Sequence, residues 1–335
     1  MAKVDNTLMY LLTENARMSL KELAQELRKS PQRLKYSISI LQKENYLLEP
    51  YSVIDYSYFG LLLFRVYFKG AYVSEAEKTK IVEELKSNPF IVSVYELTGE
   101  YDLIAEFASP NPSKFNKELK KLTRQIPTLD NYKILLNLVS HLSPKHYLTK
   151  DERLQNIHTE RIVGGDRPRE EFAAKELDVM RELVLKPTIR LTELSKKSGL
   201  NVKTAKSVVI SLMKRNILKG FRYAVNFEKL GIAKARLFLR LHNLSPEREA
   251  QLMEYLLRCE NVVMVHKTVG DWDLEIDVES FDKNNTRIIL TKLREDFKDL
   301  IERSTVMEFY SYYKHSYLPM NVFEDQSLSI IGTIG

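Results

Sequence analysis

Cysteine is nearly absent: the 335 residues contain one, Cys259. That excludes an internal disulfide framework and any cysteine-cluster metal site, and fits a reducing, cytoplasmic setting. Long apolar runs are missing too. The longest candidate, Phe59 to Phe64, is stopped by Arg65, far short of the roughly 18–20 residues that cross a bilayer, so no membrane partner is expected. The first residues lack a basic segment followed by an apolar one, and no signal peptide is expected. The histidines (141, 146, 158, 242, 266 and 315) show no HExxH-type spacing. Cys259 follows a predicted helix beside Glu260 without a nucleophile signature. Gly164-Gly165-Asp166 follows no predicted strand and reads as a linker, not a phosphate loop. Glu83-Glu84 reads as solvated helix surface. No catalytic residue, metal or cofactor is expected.

What is present is ordinary for a folded protein: 44% hydrophobic and 29% charged residues, which excludes wholesale disorder. The length asks for two domains or more. Net charge is +6, a weak sign by itself, but it is unevenly spread. Residues 1–49 carry 8 basic and 6 acidic side chains, whereas residues 166–223 carry 14 and 7. The second stretch, at +7, holds more than the whole excess, so a polyanion would meet the chain there.

The chain is written twice. Shifted by 171 residues, Leu20, Glu22 and Leu23 fall on Leu191, Glu193 and Leu194; Asn45 falls on Asn216 and Gly60 on Gly231; Gly99-Glu100-Tyr101-Asp102 falls on Gly270-Asp271-Trp272-Asp273. Each copy opens with three short helical segments. The third begins at Ser30-Pro31 in copy one and at Asn201 in copy two, with apolar positions Leu34, Ile38 and Leu41 matched by Ala205, Val209 and Leu212. Short apolar pieces follow and predict a β-hairpin wing. The pattern then changes to strand, helix, two strands about a sharp turn, helix, strand. The order βαββαβ predicts a ferredoxin-like sheet with both helices on one face. The expected fold class is α+β: two tandem copies of a winged helix-turn-helix plus a βαββαβ domain. The expected boundaries are 1–55 and 56–148, a polar linker 149–169, then 170–226 and 227–320, and a flexible tail 321–335. The strands are apolar on both sides, so the two βαββαβ sheets are expected to pack on each other, in one chain or between self-associating chains.

A winged helix-turn-helix followed by βαββαβ, with a Gly-x-Tyr/Trp-Asp turn between its second and third strands, resembles the Lrp/AsnC (feast/famine) transcriptional regulators. The resemblance runs once per copy over nearly the whole chain. It implies a sequence-specific DNA-binding regulator that associates through its βαββαβ (RAM-like) domains and answers to an amino acid or similar metabolite. Two features depart from the pattern: the module occurs twice in one chain, and copy one has Leu27-Arg28-Lys29-Ser30 where copy two has Ser198-Gly199-Leu200-Asn201 in the helix–helix turn.

For double-stranded DNA, a recognition helix needs one apolar face for its own domain and one polar, basic face for the major groove. Copy two offers Lys203, Thr204, Lys206, Ser207 and Lys214, with Arg215, Lys219 and Arg222 leading into the wing. Copy one offers Gln32, Arg33, Lys35, Tyr36, Ser39 and Lys43. Such side chains are also what the solvated face of any helix carries; the winged context and the local charge favour DNA for copy two. For an effector, the candidates are Gly99, Glu100, Tyr101 and Asp102 with Gly270, Asp271, Trp272 and Asp273. A glycine at positive φ exposes N–H groups that suit a carboxylate, and an aspartate suits an ammonium. The same residues also make a self-sufficient turn. Two other functions fit this architecture. Sirohaem decarboxylases resemble it, but would need histidine and arginine around the second strand, where Val94-Tyr95-Glu96-Leu97 and Val265-His266-Lys267-Thr268 offer no such cluster. A metabolite-sensing interaction protein with vestigial helix-turn-helix units would bind nucleic acid no worse after loss of Lys203 and Lys206.

Overall fold

The computed structural model describes residues 4–155, 161–243 and 245–324. Copy one opens with α1 (Asn6–Glu14), α2 (Leu20–Leu27) and α3 (Pro31–Lys43). Their starts follow from local chemistry: Ser19 and Glu22 form a reciprocal capping box, and the Ser30 hydroxyl accepts from Arg33 N–H ahead of Pro31. After β1 (Leu47–Ile54) come β2 (Leu62–Phe68), α4 (Glu75–Ser87), β3 (Ile91–Thr98), β4 (Leu103–Ser109), α5 (Pro112–Gln125) and β5 (Tyr132–Leu142). Between the copies lie α6 (Glu152–Gln155) and β6 (Arg161–Gly164). Copy two repeats the order with α7 (Ala174–Leu185), α8 (Leu191–Lys197), α9 (Val202–Lys214), β7 (Leu218–Val225), α10 (Phe227–Leu230), β8 (Ala233–Leu241), α11 (Pro246–Arg258), β9 (Val262–Val269), β10 (Leu274–Ser280), α12 (Asn284–Asp296) and β11 (Ile301–His315). The Asn201 side chain caps α9 by accepting from Thr204 N–H.

Three expectations need correction. Neither copy builds a hairpin wing: each contributes one strand, and β1 and β7 pair antiparallel with each other, Tyr51 opposite Arg222 and Ser52 opposite Phe221. A run of eight residues without a reversing turn reaches a partner only across the repeat. The two helix-turn-helix units consequently share one core, in which Leu8, Leu12, Leu23 and Leu34 join Val179, Leu183, Leu194 and Leu212. Second, the stretch between the copies is partly built into the fold, since β6 pairs with β5 and Leu154 and Val163 are buried. A strand therefore does precede Gly164-Gly165. Third, Val322, in the stretch expected to be a flexible tail, is buried; positions 325–335 of that stretch lie outside the described residues.

The two βαββαβ sheets do more than stack. They join at both edges, β3 to β11 and β5 to β9, and the order β2-β4-β3-β11-β8-β10-β9-β5 returns through β5–β2. Eight antiparallel strands thus close a barrel that abolishes sheet edges. Helices α4 and α5 cover copy one over the Phe64, Val94 and Phe107 core, and α11 and α12 cover copy two over Leu237, Ile276 and Val278. The inward faces of the strands meet one another.

Candidate nucleic-acid interface and barrel interior

Helix α3 buries Leu34 and Leu41 and turns Gln32, Arg33, Lys35, Tyr36, Ser39 and Lys43 to solvent, Tyr36 being 69% exposed. Helix α9 buries Ala205, Val208, Val209 and Leu212. Lys203, Lys206, Ser207 and Lys214 are exposed, and Thr204 is half-buried at its start. Among the described residues no carboxylate is paired with Arg33, Lys35, Lys43, Lys203, Lys206 or Lys214.

The basic residues at the end of α9 and on β7 are committed. Arg222, 1% exposed, donates to the Thr13 carbonyl at 2.8 Å and pairs with Glu14. It pins α1 to the ribbon and does not face a groove, because its alternating position on β7 points it inward. Arg215 is clamped by Glu170 and Glu176. Lys219 sits 3.7 Å from the buried Asp55 carboxylate, and burial lowers its pKa. Expecting Arg215 and Arg222 to contact DNA took charge for availability.

The two Gly-x-aromatic-Asp turns occupy one mouth of the barrel. Gly99 and Gly270 hold φ of 132° and 148°. A Cβ at Gly270 would come within 2.4 Å of Leu135 on the adjacent copy. Tyr101 and Trp272 pack on a shared cluster with Tyr67, Phe238, Leu135 and Met307. The Asp102 carboxylate accepts from Ala71 N–H at 3.1 Å and that of Asp273 from Leu241 N–H at 2.7 Å. Both aspartates are thus used inside the fold, Asp102 tying its turn to the loop after β2 and Asp273 tying its turn to the end of β8. Asp271 pairs with Lys133 at 2.9 Å, and Glu100 is exposed.

The barrel interior holds a buried ionic network that the sequence reading missed. Arg65 lies directly across from Glu106, as Arg236 does from Asp277, with Nε–carboxylate distances of 2.6 Å in both. The pairs are related by the 171-residue repeat. The copies are then cross-linked: Arg65 and Tyr67 of copy one both hold Glu275, and Arg236 donates to the Tyr67 hydroxyl at 3.0 Å. Lys234 and Lys145 converge on Glu279. Burial alone would raise the Asp277 and Glu279 carboxyls, but the adjacent cations prevail; Asp277 falls below its ordinary value and Glu279 falls to about 2. An arginine at the same repeat position inside each apolar strand run, Arg65 and Arg236, was the available signal.

His266 joins the same network. Arg65 lies 3.1 Å from its Nδ1 and the Ser140 hydroxyl 2.7 Å. The guanidinium only donates, so Nδ1 accepts and the ring is neutral with its proton on Nε2. Burial and the charges of Arg65 and Arg236 keep it so, with its pKa far below the usual histidine range. The ring lines a cavity of about 20 Å³ together with Arg236, His315 and Tyr317, room for one water. A histidine–arginine cluster is therefore present, assembled from both copies. Among the described residues no group of three or more His, Cys, Asp or Glu is placed to hold a metal, and no helix is long and apolar enough to cross a membrane.

Residues 1–47 match the family model for winged helix-turn-helix DNA-binding. An uncharacterized HTH-type transcriptional regulator of Pyrococcus furiosus is 29% identical over 130 residues, 38% of this chain and 84% of the relative. The chain is a relative of HTH-type transcriptional regulators. A second such regulator, from Pyrococcus horikoshii, is 26% identical over 135 residues, 40% of this chain and 90% of its own length. In each case about one module of this tandem chain answers to most of the relative. Across the whole molecule, the fold is similar to that of the siroheme decarboxylase NirDL, with TM-score 0.55, 12% identity and 98% of each chain covered. The structure of that enzyme with an iron-uroporphyrin III analogue gives TM-score 0.57 at 13% identity over 95% of each chain. At such identity the likeness is one of fold alone.

Proposed function

We propose that this chain is a sequence-specific transcriptional regulator whose two helix-turn-helix units read one DNA duplex together. The observation that carries this reading is the pair of exposed helices α3 and α9, whose basic side chains have no carboxylate partner among the described residues, mounted on one core through the β1–β7 ribbon. Because the two faces differ, the preferred site is asymmetric. Fluorescence anisotropy on genomic upstream fragments, titrated across salt, tests this. Wild type should bind selected fragments with a steep salt slope, and Lys203→Glu/Lys206→Glu should lose that binding. Binding indifferent to both salt and substitution would overturn the reading.

A small effector belongs at the barrel mouth in this scheme. Because Asp102 and Asp273 hold backbone N–H groups, the exposed charges beside the turns are those of Glu100 and of Arg303 over the Trp272 ring, with Lys133 and Asp271 paired to each other. Coupling of such a site to helix spacing is typically worth about 1–3 kcal/mol. Calorimetry giving no heat with any common amino acid would remove this element.

The second reading, an enzyme of the sirohaem-decarboxylase kind, is favoured by the full-length likeness of fold and by His266 beside Arg65. Against it, the arginines are neutralised by carboxylates and the adjoining cavity has room for one water. A haem-like absorption band in purified protein would favour it.

A further inference from the structure

The exposed face of α9 is not uniformly polar. Val202, Ile210 and Met213 are 43%, 42% and 46% exposed. With Lys203, Lys206, Ser207 and Lys214 they form one continuous surface opposite the buried Ala205, Val208, Val209 and Leu212. The positions equivalent by repeat on α3 are Pro31, Ser39 and Gln42. At two of these positions, Ser39 and Gln42, copy one presents polar side chains where copy two presents apolar ones, Gln42 also donating to the Tyr223 hydroxyl at 3.2 Å. Solvated helix faces rarely keep three large apolar side chains, and an apolar docking partner would not want three unpaired lysines around them. The major groove of DNA satisfies both: phosphates for the lysines, and the thymine 5-methyl as the one apolar group on its floor.

We propose that the second module reads thymine methyl groups, with Ile210 and Met213 as specificity-determining residues, whereas the first reads base edges through hydrogen bonds. This rests on the DNA-binding reading above and adds to it the chemistry of one half of the site. Ile210 stands between Lys203 and Lys206 on one side and Lys214 on the other, so phosphate contacts on both flanks would seat it over the groove floor.

The test uses the full chain. A duplex is selected from a random pool, and the half-site assigned to each module is located by footprinting. Thymines of the second half-site are then replaced by uracil, which keeps the pairing edge and lacks only the methyl. Wild type should weaken about fourfold for each contacted methyl removed, with the salt slope unchanged. The same replacement in the first half-site should have little effect. Ile210→Ser/Met213→Gln, which installs the copy-one residues at exposed positions, should bind thymine and uracil duplexes alike. Binding that persists with no response to uracil, or a second half-site without thymine, overturns the methyl readout and leaves the regulator reading standing. Failure of the wild type to select any duplex overturns both.

Discussion

At the scale of single residues, the repeat was legible because special backbone positions admit few side chains. Asn45 and Asn216 both hold positive φ, at 53° and 59°, as do Gly60 and Gly231, at 69° and 66°. The same logic explains the departure at the helix–helix turn. Arg28 takes the left-handed conformation at φ 52°, where its repeat equivalent is Gly199 at φ 65°. The fold demands that conformation in both copies, and copy one meets it with a residue that dislikes it. Arg28→Gly should therefore stabilise the protein by about 1 kcal/mol, and Gly199→Ala, whose added Cβ meets nothing within 4 Å, should destabilise it by a similar amount. Denaturant melts of the two variants check both signs. A second residue-scale expectation concerns acid. Burial, reinforced by Lys234, Lys145 and Arg222 against the pull of Glu106, lowers His315 from 6.5 to about 4. Between those values the unfolded chain binds a proton that the folded chain refuses, so stability falls as pH drops from 6.5 to 4. His266 adds to the loss in the same direction. His315→Phe should flatten that part of a pH–stability profile, and a lower step between 4.5 and 2, from Glu279, should persist.

At the scale of elements, helices and most strands were readable from periodicity and caps, because those signals are local. Partners were not. Nothing within Leu47–Ile54 says that it pairs with Leu218–Val225, and that pairing turned Arg222 inward. Of the candidate DNA-contacting residues, those on α3 and α9 are outward because helical spacing fixes their face. Arg215 and Arg222 failed because their acids, Glu170, Glu176 and Glu14, are distant in sequence. The two classes should separate in one measurement. Lys206→Gln should reduce the salt dependence of DNA binding by about one unit of slope while leaving stability within roughly 0.5 kcal/mol. Arg222→Ala leaves Glu14 with a weakened partnership in a buried setting and should cost about 3–5 kcal/mol of stability. Should Arg222→Ala instead lower the salt slope with stability intact, the inward assignment fails.

For the whole molecule, the ionic interior decides which modules can close a barrel together. The inward charges of copy one are Arg65, Glu106 and Lys145, one cation in excess. Those of copy two are Lys234, Arg236, Glu275, Asp277 and Glu279, one anion in excess. The surplus anion of copy two is Glu275, whose repeat equivalent in copy one is Ile104, and it is met by Arg65 of copy one; the surplus cation of copy one is Lys145, whose repeat equivalent is Ser316, and it meets Glu279 of copy two. Two copies of the first module would bury two surplus cations, and two of the second two surplus anions, each an expense of several kcal/mol per ion in a water-poor interior. Only the mixed pair is neutral. The charge pattern predicts that the halves prefer each other to a second copy of themselves. Expressed separately as 1–155 and 161–335 and then mixed, they should assemble as one-to-one heterodimers in preference to either homodimer, as read by native mass spectrometry. Glu275→Ile, which gives copy two the copy-one residue and a balanced interior, should shift the second half toward self-pairing. Homodimers as abundant as the mixed species would show that strand edges alone, and not the buried charges, choose the partner.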